Sequence, residues 1–207
     1  MGIEHSLKRN DCNVESKRDI NSRVNLYTRK IGVRDMDVKP KEGEGLSLVG
    51  FRINSTGNNP DIFTIIVYNG KDSPVLIDNQ IAFISKIEHV SGMYDLLDDR
   101  VKALGPPPIE VDLVCDIPET LHHIKHKDKD EAAIILNCLN TFFDLLNAVE
   151  VNLPDEYQSV LYDFADHLTF NREFTDFIAE QNIARNLLVD AVTWCVGAIT
   201  VKAKLII

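Results

Sequence analysis

The chain has 207 residues, 44% hydrophobic and 26% charged, which is enough apolar material for a folded core and excludes a disordered polymer. Its formal charge of −10 is unevenly spread. Residues 1–45 hold ten Lys/Arg against eight Asp/Glu, 46–108 five against seven, and 109–207 seven against seventeen. An acidic C-terminal half repels phosphate backbones, which argues against nucleic-acid binding there; it favours a basic partner or serves only solubility, the commoner role of such a surface.

Residues 1–45 read as a polar N-terminal arm with weak strands between 23 and 38. The opening "MGIEHS" matches the N-myristoylation pattern at Gly2, with Ser6 in place and Lys8 and Arg9 following. Lys8 and Arg9 would add the basic character that a single acyl chain needs, but the pattern is short and acts only in a eukaryotic host, so membrane attachment is not expected. "MGIEHSLKRN" lacks the apolar segment of a secretory signal, and the expected location is cytoplasmic. "KPKEGEG" (39–45) is a cluster of breakers.

Residues 46–116 form the β-rich part. "LSLVGFRIN" (46–54) places Leu46, Leu48, Gly50 and Arg52 on one face, with Val49, Phe51 and Ile53 on the other. "STGNNP" turns the chain into "DIFTIIVYN" (61–69), rich in β-branched and aromatic residues. The Asn69-Gly70 pair is the signal of a tight hairpin, after which "PVLID" and "IAFISKI" continue an antiparallel meander. "MYDLLDDRVKAL" (93–104) predicts one short amphipathic helix, ended by "GPPP". "IEVDLVCD" (109–116) alternates and predicts a half-buried strand with Ile109, Val111, Leu113 and Cys115 inward.

From 117 to 207 the period is helical, and about four helices are expected. "DEAAIILNCLNTFFDLLNAVEV" (130–151) is apolar on nearly all sides, a pattern that fits a central helix or a self-association surface. Asp130 is placed to cap it. In "DEYQSVLYDFADHL" (155–168) Tyr157, Val160, Leu161, Phe164 and Leu168 share a face opposite Asp155, Ser159, Asp163 and Asp166. Asn171 is placed to cap a short helix carrying Phe174, Phe177 and Ile178, and a last helix runs from about Ile183 to Ile199. "VKAKLII" fits either a terminal strand or a continuation of that helix. The fold class is therefore α+β, a meander followed by a helical unit, packed as one globular body.

The chemistry-bearing residues are few. "TLHHIKHKDKDEA" (120–132) gathers His122, His123 and His126; His122 and His126 stand four apart on one helical face, a spacing that can chelate a divalent ion. Asp116, Asp128, Asp130 or His167 would have to complete such a site. Asp163 and His167 form a second i, i+4 pair. The four cysteines, Cys12, Cys115, Cys138 and Cys195, are dispersed without a C-x-x-C, and reduced thiols are expected. No nucleophile elbow or phosphate-binding glycine loop is present, and no cofactor is implied.

The leading expectation is a non-enzymatic protein-binding or regulatory protein of the immunity, adaptor or chaperone type. Its partner would be basic and would meet Asp155, Glu156, Asp163, Asp166, Glu173 and Asp176. The alternative is a metal-dependent enzyme built around His122 and His126.

Overall fold

The computed structural model describes residues 44–126, 132–170, 177–178 and 185–207, all within the unit Met36–Ile207. The apolar runs of the first half become strands β1 (Glu44–Arg52), β2 (Ile62–Asn69), β3 (Asp72–Pro74), β4 (Leu76–Ile77) and β5 (Gln80–Ile84). β1 and β2 pair antiparallel from Glu44↔Asn69 to Phe51↔Ile62. One carboxylate organises the turn between them. Asp61 Oδ2 accepts from Asn54 N (2.9 Å) and Ile53 N (2.7 Å), and these amides hold its pKa below the usual value. Pro60 folds back over β1 so closely that a Cβ on Gly50 would lie 2.6 Å from Pro60 Cγ.

The hairpin expected at Asn69-Gly70 forms, with Gly70 at φ +73° and Tyr68 opposite Asp72. A second one joins β4 to β5 through Asp78 (φ 54°) and Asn79 (φ 60°). Both residues occupy the left-handed region that a type I′ turn requires, and Asp and Asn tolerate it better than other side-chain-bearing residues.

Two later strands extend the meander in parallel. β6 (Leu113–Asp116) runs along β1 with Arg52 opposite Asp116, and β7 (Ala203–Ile206) runs along β5. Ile81 N donates to Lys202 O on one side of β5 while Ala82 N donates to Val75 O on the other, which places β7 outside β5. In the terminal "VKAKLII" Val201 ends the last helix and Ala203–Ile206 form a strand.

Two expectations from the sequence need correction. The strand read over 109–116 begins only at Leu113, and Ile109 is 88% exposed. The reason is Asp112, whose carboxylate accepts from Leu48 N and Ser47 Oγ, both at 2.8 Å. It occupies the β1 amide that a longer ladder would use. The helix read over 93–104 is in fact two, α1 (Val90–Asp95) and α2 (Asp99–Lys102), after a 3₁₀ turn at Ile87–His89. Asp98 caps the second by accepting from Arg100 N and Val101 N, so the chain restarts where one amphipathic stripe was expected.

The second half supplies α3 (Ile117–His126), α4 (Ala132–Ala148), α5 (Asp155–Thr169) and α6 (Arg185–Val201). They cover one face of the sheet, where Val49, Phe51, Ile66, Ile81 and Phe83 meet Phe142, Leu146, Phe164, Leu188 and Val192. The opposite face carries Leu48, Phe63, Ile65 and Ile84 under Val90 and Met93 of α1 and Leu97 of the link to α2. Both faces are therefore dry, which explains why "FTIIV" reads as a continuous apolar run and not as an alternation. The fold is α+β. No helix among the described residues is long and apolar enough to cross a membrane. The myristoylation pattern at Gly2, the arm strands, Cys12, the caps Asp130 and Asn171, and Phe174 lie outside the described residues.

Candidate functional site

α5 begins after Pro154, whose carbonyl accepts from Gln158 N at 2.9 Å. Asp155 and Glu156 occupy its first turn, where the helix dipole favours negative charge. Its inner side buries Val160, Leu161, Phe164, Ala165 and Leu168, while Tyr162 stacks on Phe143 with ring centroids 4.6 Å apart. That packing fixes which side faces solvent. Asp155, Glu156, Ser159 and Asp163 are exposed and Asp166 is half-buried. Between Asp155 and Thr169 there is no Lys or Arg, and none of the four carboxylates has an ion pair among the described residues. Glu173 and Asp176, expected to extend this surface, lie outside the described residues. Asp163 and His167 are separated by environment: Asp163 is exposed, whereas His167 is buried with its ring centroid 5.3 Å from that of Phe177.

The histidines of α3 divide in the same way. His122 and His126 are both exposed with ring centroids 4.7 Å apart, so the helix does bring them side by side. Two imidazoles supply half of a tetrahedral zinc shell. Among the described residues no group of three or more His, Cys, Asp or Glu is arranged to hold a metal ion, and Asp128 and Asp130 lie outside them.

His123 belongs to a different cluster. It is 5% exposed, and its Nε2 lies 3.2 Å from Glu119 Oε1. Glu119 also approaches Arg52 Nη2 (3.5 Å), which meets Asp116 Oδ2 at 2.5 Å. Asp116 Oδ1 in turn accepts from Glu119 N at 3.0 Å, capping α3. The last residue of β1, the last of β6 and the first turn of α3 are thereby tied together. Arg52 Nη1 donates to Gly57 O as well, so its guanidinium is held on two sides. This arrangement is a clasp between strand ends and a helix start.

A further group sits where α4 crosses the sheet. Asp144 has its pKa raised to about 7, mainly by burial and then by the like charge of Asp72, with Lys71 opposing. Around it the phenols of Tyr68 and Tyr162 are also raised. Burial is the main cause for both, the Asp144 carboxylate adds to it, and hydrogen bonds with Ser47 and Gln158 respectively oppose it. Sequence reading passed over Asp144 because its helix looked apolar on nearly all sides. The available signal was a single carboxylate inside "TFFDLLNA". Chemically it is a proton-holding group that titrates near neutrality.

Comparison of the chain with protein-family models, with curated proteins and with solved structures finds no match.

Proposed function

We propose that the protein is a non-enzymatic binding or regulatory protein that docks a basic protein partner on the outer face of α5. The observation that carries this reading is the row of Asp155, Glu156, Asp163 and Asp166 with no cation beside it among the described residues. Carboxylates that already have ionic partners gain little from a second one. Unpaired ones on a rigid helix offer a fixed negative potential, which speeds encounter and selects a partner of opposite sign. Rigidity comes from the buried side of the same helix, so the row is held in place before any partner arrives.

The reading is tested by capture from an extract of the native host, with the full chain as bait, at low and at high ionic strength. A second bait carries Asp155→Lys, Asp163→Lys and Asp166→Lys, with its fold checked by circular dichroism. A protein held by the native chain at low salt, released at high salt and not captured by the reversed bait is the expected result. Equal capture by both baits would contradict the proposal.

A further inference from the structure

We propose that Cys115 and Cys138 are a disulfide-forming pair that bolts the edge strand β6 to helix α4. The two residues are 23 apart in sequence, yet their sulfurs lie 2.8 Å from each other, and both side chains are fully buried. In the structure both are free thiols, with Cys115 Sγ donating to Cys138 Sγ, and a pair already in contact needs only a small approach to form an S–S bond of ~2.05 Å. A shared soft metal ion does not fit the same geometry. Tetrahedral coordination at ~2.3 Å would hold the sulfurs about 3.8 Å apart, and no third ligand joins them among the described residues.

The local structure makes the bond consequential. β6 has only four residues and pairs with β1 alone among the described strands. Its last residue, Asp116, caps α3 and anchors Arg52. A bond from the preceding residue to the middle of α4 would lock the clasp at the sheet edge to the helical layer. Cys195 is also fully buried in that layer, with its thiol pushed up to about 12 by burial, but no other sulfur bonds to it among the described residues. It serves as an internal control.

Bond formation removes two electrons and two protons from the thiols, and a small-molecule disulfide such as oxidised glutathione can accept them. One protein thiolate attacks it and releases the first glutathione. The second protein thiol then displaces the other, leaving Cys115–Cys138 bonded and two reduced glutathione molecules in solution. Because burial raises the Cys115 thiol pKa and shields both sulfurs, exchange requires β6 to part from α4 or to be captured during folding.

The test refolds the full chain from denaturant in a glutathione couple, which removes burial as an obstacle, then alkylates free thiols in denaturant and maps peptides without reduction. The expected product is a linked Cys115–Cys138 peptide with Cys12 and Cys195 alkylated. The bonded protein should also melt roughly 5–10 °C above its reduced form, a shift of the size that closing such a loop gives. Cys138→Ala should show no shift between the two conditions. Alkylation of both Cys115 and Cys138, or a link from either one to Cys195, would overturn the proposal. So would a bonded protein that melts no higher than the reduced one.

Discussion

Asp144 shows how one residue can make stability depend on pH. Its folded-state pKa is raised to about 7 from an ordinary value near 4, so between those limits the folded protein holds a proton that the unfolded chain has lost. Stability contributed by this group is therefore greatest below pH 4 and falls as pH rises to about 7. Asp144→Asn should flatten that part of the profile and be more stable than the native protein at pH 8, by on the order of 2–4 kcal/mol. Urea unfolding of both proteins at pH 5 and pH 8 would show it, and equal slopes with pH would contradict it. Gly50 is the second single-residue constraint. Gly50→Ala places a methyl 2.6 Å from Pro60 Cγ, so the turn must shift; a loss of about 1–3 kcal/mol is expected in the same assay. Neither feature was legible in the sequence. Burial of Asp144 depends on which side of α4 meets β3, and the clash at Gly50 depends on how Pro60 folds back. Local pattern does carry the Asn69-Gly70 turn, because its backbone requirement is met by the residues of the turn themselves.

Among the elements, α3 depends on the clasp at its start. Asp116 both caps the helix and pairs with Arg52, whose side chain is 15% exposed. Asp116→Ala should cost about 2–3 kcal/mol, more than an ordinary cap, because it also leaves the guanidinium without its closest anion. Arg52→Met combined with it should recover part of the loss, since the unpaired charge goes as well; strictly additive losses in that double-mutant cycle would contradict the coupling. Periodicity alone located α5 closely, since five apolar positions at helical spacing and an acidic opposite face leave little choice of register. It overextended β6 and merged α1 with α2 for a common reason. In each case one aspartate side chain accepted from backbone amide groups, Asp112 from Leu48 N of β1 and Asp98 from Arg100 N and Val101 N of its own helix, and ended a pattern that hydrophobicity would have continued.

At the scale of the whole molecule, the sheet is covered by helices on both faces and its outer strands are attached in parallel. The acidic half of the sequence folds into the helical layer, and α5 turns its charge outward from that layer. β7 closes β5 with four residues drawn from the far end of the sequence, so removal of 203–207 would expose the β5 edge. That truncation should lower the melting temperature and promote self-association by edge pairing, visible by light scattering. An unchanged, monomeric product would show that β7 is dispensable. The α+β order of strands before helices could be read from the sequence, but the return of the last strand to the sheet could not. That return is a contact between distant segments, and local periodicity holds no record of it. The same applies to the meeting of Cys115 with Cys138. The docking face is local in origin, which is why its residues on α5 were available from spacing alone. Zero-length carbodiimide coupling of the captured complex, which joins carboxylates to lysines in direct contact, tests that face at the level of atoms. Links from partner lysines to Asp155, Glu156, Asp163 and Asp166 are expected. Links confined to other carboxylates, such as Asp95, Asp98 and Asp99 on the opposite side of the sheet, would contradict the proposed docking face.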